Sequence, residues 1–100
     1  MSTQPIQIKS ITVSKELTII NKLGLHARAA NKLAQLCQQF SSKITLILEE
    51  KEADAASIMA IMLLAGGQGK IVKVIAQGID APAALKAISQ LISDKFDEEE

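Results

Sequence analysis

Residues Lys15–Phe40 read KELTIINKLGLHARAANKLAQLCQQF, and the spacing of their apolar side chains changes partway along. From Lys15 to Asn21, Leu17 and Ile19 alternate with polar neighbours, the two-residue period of a strand with one buried face. A turn follows at Lys22 to Leu25. From Ala27 to Phe40, the apolar positions Ala30, Leu33, Leu36, Cys37 and Phe40 recur at helical spacing, while Arg28, Asn31, Lys32, Gln35, Gln38 and Gln39 cover the other face. The stretch predicts strand, turn and amphipathic helix, the helix beginning directly after His26.

Outward from there the pattern continues in the same alternation of elements. Lys43–Glu49, KITLILE, places Ile44, Leu46 and Leu48 on one side and predicts a second strand. The charged run Glu50–Asp54 fits a short edge strand or turn. Ser57 precedes IMAIMLLA, rich in helix formers and closed by Gly66 and Gly67, which predicts a short helix. Lys70–Gln77 puts Val72, Val74 and Ala76 on one face of a strand that Gly78 ends, and Asp80 with Pro82 marks the start of a last helix carrying Leu85, Ile88, Leu91 and Ile92 as far as about Lys95. This order fits an α+β fold, an antiparallel sheet with helices packed on one face. Residues 1–14 read as an N-terminal extension, flexible or extending the first strand, residues 15–96 as the folded domain, and residues 97–100 as a solvated acidic tail.

Composition narrows the class. One hundred residues with 48% hydrophobic side chains suffice for one core without staples. The single cysteine, Cys37, sits on the apolar helix face and reads as core; with one histidine and no CxxC pair there is no metal-ligand cluster, and a reducing, cytoplasmic setting is expected. The longest uncharged apolar run, Ile58 to Gly67, is about half of the ~20 residues a membrane span needs. Eleven basic residues balance eleven acidic ones, and Phe40 and Phe96 are the only aromatics, which argues against nucleic-acid binding. Residues 9 to 43 nevertheless hold Lys9, Lys15, Lys22, Arg28, Lys32 and Lys43 against Glu16 alone, a surface suited to an acidic partner.

The chemistry concentrates at Gly24-Leu25-His26-Ala27-Arg28-Ala29-Ala30. The first amides of a helix lack intrahelical acceptors and, with the helix dipole, form an anion site. An imidazole at that boundary can carry a phosphoryl group whose oxygens meet the amides of Ala27, Arg28 and Ala29, with the Arg28 guanidinium adding a charge-assisted hydrogen bond. Downstream, Ile58–Leu64 is apolar around its whole circumference, and a helix lying on a sheet can bury only one side. With Ile61 and Leu64 inward, Ile58, Met59 and Met62 face outward as a docking surface. Ser57 is placed to cap that helix.

Both segments resemble the signatures of the HPr family of phosphocarriers: GLHARAA is similar to a G-[LM]-H-x-R-P-A active-site pattern, and Ser57-Ile58-Met59-Ala60-Ile61-Met62 to the S-I-M-x-[LIV]-[ML] signature. The resemblance covers about Lys15 to Phe96 and implies an open-faced sandwich of four antiparallel strands with three helices on one face. It implies that His26 is phosphorylated on the ring nitrogen nearer the backbone and that Arg28 contacts the phosphoryl oxygens. Partner docking would run through the first two helices. A serine kinase is implied only in that Ser57 falls where some relatives are modified. The donor implied is enzyme I, charged by phosphoenolpyruvate, and the acceptor an enzyme IIA type protein; no cofactor or metal is implied, and the chain is expected to be a monomeric carrier working through a phosphohistidine rather than a stand-alone enzyme. The NKLG start and the Phe96-Asp97-Glu98-Glu99 ending look more like the nitrogen-related branch than the sugar-transport branch. The alternatives are the sugar-transport carrier or a regulatory binding module of the same fold. One departure is Ala29, where the family usually has proline.

Overall fold

A computed structural model describes residues 10–100. The chain runs β1 (Ile11–Thr18), α1 (Ala27–Cys37), β2 (Lys43–Leu48), β3 (Lys51–Asp54), α2 (Ile58–Leu63), β4 (Ile71–Gly78) and α3 (Ala81–Ser93), followed by a single turn at Lys95–Asp97. The strands form one antiparallel sheet in the order β1-β4-β2-β3. All three helices lie on the face carrying Ile44, Leu46, Leu48, Val72, Val74 and Ala76, every one of them buried, and the opposite face is open. This is the expected α+β open-faced sandwich.

Element boundaries differ from expectation where the local pattern is interrupted. β1 starts at Ile11, not Lys15, and ends at Thr18, not Asn21. Its inner positions run Ile11, Val13, Lys15, Leu17, so Lys15 breaks the apolar alternation, yet the ladder to β4 is continuous from Ile11 opposite Gly78 to Thr18 opposite Ile71. The expected extension is thus strand from Ile11 onward, and its first nine residues lie outside the described ones. α1 stops at Cys37 rather than Phe40, because Gln39 N–H and Phe40 N–H donate three residues back, to Leu36 and Cys37 carbonyls, tightening the last turn. At the end of α2 the left-handed residue is Ala65, φ 53°, and not a glycine. Gly66 serves packing instead: a Cβ there would come within 2.7 Å of Leu25 and 2.8 Å of Ile19 side chains.

The connection between β4 and α3 is clamped to the loop before β2. Asp80 precedes α3 but makes no capping bond within it. Its carboxylate instead accepts from Ser41 N–H at 2.8 Å, from Ser42 N–H at 2.9 Å and from the Ser42 hydroxyl. These hydrogen bonds, led by that of the Ser42 hydroxyl, hold the Asp80 carboxyl below its ordinary value against a smaller opposing effect of burial. The close approach needs Gly78, φ 150°, where a Cβ would meet Ser42 Cα at 2.7 Å.

Two outcomes follow for stability. Gly78→Ala is expected to destabilise the chain by about 1–3 kcal/mol, read by denaturant unfolding with unchanged m-value. Because the folded-state pKa of Asp80 is depressed, its contribution is fully present above the ordinary carboxylate range and is lost as pH falls below about 4; Asp80→Asn removes that part of the acid-side slope in melting-temperature profiles.

Candidate functional site

The loop Asn21–Leu25 sets the position of His26. Leu25 N–H donates to Gly66 O at 2.8 Å, and the fully buried Asn21 side chain donates from Nδ2 to Gly24 O at 2.9 Å. Gly24 adopts φ 65°, and a Cβ at that position would collide with the Gly66 carbonyl oxygen. The chain then enters α1 with His26 extended at φ −74°, ψ 178°, the conformation of an N-cap.

The imidazole is held at both nitrogens. Nδ1 accepts from Arg28 N–H at 3.3 Å, and Nε2 lies 2.8 Å from Glu98 Oε2. A backbone N–H can only donate and a carboxylate can only accept, so the two partners together specify the neutral ring with its proton on Nε2 and its lone pair on Nδ1. The nitrogen nearer the backbone thus carries the lone pair, and it faces the first turn of α1. The ring is 25% exposed and the Glu98 side chain 12%.

Glu98 was hidden in the acidic run that the sequence suggests is a solvated tail, and at this residue that expectation fails. Asp97, Glu99 and Glu100 are exposed, but Glu98 turns inward. The reason is the turn at Lys95–Asp97, whose residues take φ 57°, 55° and 63° with no glycine among them. Left-handed geometry costs non-glycine residues about 1–2 kcal/mol each. Offsetting it are the full burial of Phe96, worth about 1.5–3 kcal/mol, and the Lys32 ammonium, which donates to Phe96 O at 2.8 Å and pairs with Asp97 at 3.5 Å. Farther along, Lys22 N–H donates to Glu100 O at 2.8 Å. Burial alone would push the Glu98 carboxyl up. The hydrogen bonds from His26 and Asn21, together with the charge of Arg28, outweigh it and hold the group below its ordinary value.

The other expected residues are placed as follows. Arg28 is exposed beside the ring, and its guanidinium makes no hydrogen bond or ion pair among the described residues. With Lys22, Lys32 and the C-terminal acidic residues it lines a groove of about 460 Å³. Ala27 is exposed, but Ala29 is fully buried in the core, which withdraws it from the surface and leaves Ala27 and Arg28 as the amides beside the ring. Ser57 Oγ accepts from Ala60 N–H at 3.2 Å as the N-cap of α2. On α2, Ile61 and Leu64 are buried while Ile58, Met59 and Met62 are exposed; Met59 is 73% and the unanticipated Leu63 72% exposed. Cys37 is buried, which pushes its thiol up to about 12 with a further contribution from the Asp54 charge, so it is core and not a nucleophile. No group of metal-ligating side chains, and no helix long and apolar enough to cross a membrane, occurs among the described residues.

Known proteins resemble this chain in sequence and in fold. Residues 13–94 match the family model described as the PTS HPr component phosphorylation site. The phosphocarrier protein NPr of Shewanella violacea is 49% identical over 86 residues, covering 86% of this chain and 94% of the relative. The phosphocarrier protein HPr of Xylella fastidiosa is 46% identical over 84 residues, covering 84% and 94%. Among solved structures, HPr from Thermoanaerobacter tengcongensis superposes with a TM-score of 0.80 at 43% identity, over 92% of this chain and 99% of that one. A lone histidine capping the helix that follows the first strand of such a sandwich, with the family pattern spanning sheet and helices alike, leaves one assignment: the chain belongs to the HPr family of phosphocarriers of the phosphotransferase system.

Proposed function

We propose that this chain accepts a phosphoryl group on His26 Nδ1 from enzyme I and passes it to an enzyme IIA type protein in a nitrogen-related phosphotransferase system. The observation that carries this reading is the seating of the imidazole, with its unprotonated nitrogen against the free N-terminal amides of α1. Transfer between two histidines is close to balanced in energy, so positioning and charge stabilisation are what the carrier must supply. The amides of Ala27 and Arg28 and the Arg28 guanidinium, which has no partner among the described residues, meet the phosphoryl oxygens. The 49% identity to an NPr supports the nitrogen branch, together with the NKLG start and the FDEE ending.

Docking on this reading uses the exposed apolar side chains of α2 next to the basic start of α1. Ile58, Met59, Met62 and Leu63 form a continuous unpolar surface, and unbranched methionines repack against more than one partner. Ser57 acts as a helix cap, worth about 1 kcal/mol, with no kinase required. A cytoplasmic setting fits the single reduced Cys37.

Incubation with enzyme I and phosphoenolpyruvate is expected to add one acid-labile phosphoryl group, detected by intact mass, and His26→Ala is expected to abolish it. Labelling that persists in the variant would refute the assignment of His26. A screen of enzyme IIA acceptors then reads the branch: faster onward transfer to a nitrogen-related acceptor than to a sugar-specific one is expected. Leu63→Asp should weaken donor binding at least tenfold by calorimetric titration while leaving the melting temperature within a few degrees, since the side chain contacts water and not the core.

A further inference from the structure

We propose that Glu98 is a positioning residue of the phosphoryl-transfer site, accepting the Nε2 proton of His26 so that the ring presents Nδ1 to phosphorus throughout the transfer. The inference rests on the reading of His26 as the acceptor and goes beyond it by giving a C-terminal side chain a part in the reaction. Three observations support it. The Nε2 to Oε2 distance is 2.8 Å with both groups largely shielded from water. The carboxylate is itself oriented, since Asn21 Nδ2 donates to Oε1 at 3.2 Å and to Oε2 at 3.3 Å, and Asn21 is fixed by its bond to Gly24 O in the loop that carries His26. The chain adopts three consecutive left-handed residues to bring Glu98 to this point, a conformation that persists only when surrounding contacts overdetermine it.

The chemical step balances without moving a proton. The Nδ1 lone pair forms the new N–P bond as the P–N bond to the phosphoimidazole of the donor protein breaks, and that electron pair returns to the donor ring. His26 then carries phosphorus on Nδ1 and hydrogen on Nε2, a cationic ring whose charge faces the Glu98 carboxylate. In onward transfer the Nδ1–P pair returns to the His26 ring, which leaves as the same neutral Nε2–H form. The carboxylate is therefore adjacent to positive charge that exists only once the bond to phosphorus begins to form, which is where a preorganised group accelerates a reaction. The other charged groups that line the groove with Glu98 are Arg28 from α1, Glu99, the Lys22–Glu100 pair at 3.4 Å and the Lys32–Asp97 pair at 3.5 Å; among the described residues Glu98 is the carboxylate that bonds the imidazole.

The test uses the full chain, wild type, Glu98→Ala and Glu98→Gln, with Glu99→Gln as a control at an exposed neighbour. Long-range proton–nitrogen spectra of the His26 ring at alkaline pH are expected to show the Nε2–H form in the wild type and in Glu99→Gln, and to move toward a mixture with Nδ1–H in Glu98→Ala. Transfer from saturating phosphorylated enzyme I is expected to slow about tenfold to a hundredfold in Glu98→Ala, the range for removing one charge-assisted hydrogen bond from a reacting group, and less in Glu98→Gln, which keeps an acceptor oxygen. Unchanged tautomer signals, or a rate equal to or faster than wild type in Glu98→Ala, would overturn the proposal, the faster rate meaning that the C-terminal turn obstructs the site. If the wild type itself is not labelled on His26, the reading of the acceptor fails, while the tautomer comparison still decides whether Glu98 sets the ring. Melting temperatures of the folded variants separate loss of positioning from loss of structure.

Discussion

The free amides at the start of α1 are the constraint around which this molecule is organised. A helix must leave its first N–H groups without intrahelical acceptors, and water, a side chain or a ligand has to satisfy them. Here the N-cap is an imidazole, so the group that meets the helix terminus is also a nucleophile. Serine or aspartate would cap more strongly, but neither offers a nitrogen lone pair whose phosphorylated form is energy-rich enough to be passed on. The long 3.3 Å bond from Arg28 N–H to Nδ1 is a cap that is given up easily: under the proposed phosphorylation of His26, the same amide has a better acceptor in a phosphoryl oxygen.

Holding a ring at a helix terminus requires rigid surroundings on the side that the helix does not provide. The sheet supplies them indirectly. Ile19, just past the end of β1, donates to Lys70 O at 2.9 Å and accepts from Gly69 N–H at 2.7 Å, which fixes where the loop to His26 departs. Gly66 then permits Leu25 and Ile19 to pack over the end of α2, so α2 and the loop that carries His26 share one buried contact. On the proposed reading, a partner that settles on the apolar surface of α2 brings its phosphoryl group to a ring whose loop is anchored on the same helix end. On that reading docking and chemistry are coupled through this shared packing.

The sheet-and-helix order was legible because each element repeats its signal: Ile44, Leu46 and Leu48 alternate, and Leu85, Ile88, Leu91 and Ile92 recur helically. His26 and the outward Met59 and Met62 were legible for a related reason, since a lone histidine at a turn-helix boundary and a helix apolar on every side are local facts. Glu98 was not. Its neighbours are all acidic, and what distinguishes it is a left-handed turn that ordinary residues disfavour and that Phe96 stabilises by burial against the helices. The one available signal was Phe96 itself, a large apolar side chain just beyond α3 with no reason to be solvated. Asn21 was equally silent, because a buried asparagine in a turn looks like any other turn asparagine until its partners are known.

Ala29 is where this chain departs from the usual family pattern, and its burial explains why the departure is tolerated. Proline lacks an N–H, so a family with proline at this position cannot rely on that amide for phosphoryl binding. Ala29 is fully enclosed by the core, so its amide is shut off from the surface on which the imidazole lies. The donors beside the ring are Ala27 and Arg28 whichever residue follows. What proline would add is a fixed φ in the first turn, and here that restraint comes from other contacts on either side of the ring. Gly24 and Asn21 hold the loop before His26, and Glu98 holds the ring itself. A junction braced from outside does not need to be stiffened from within.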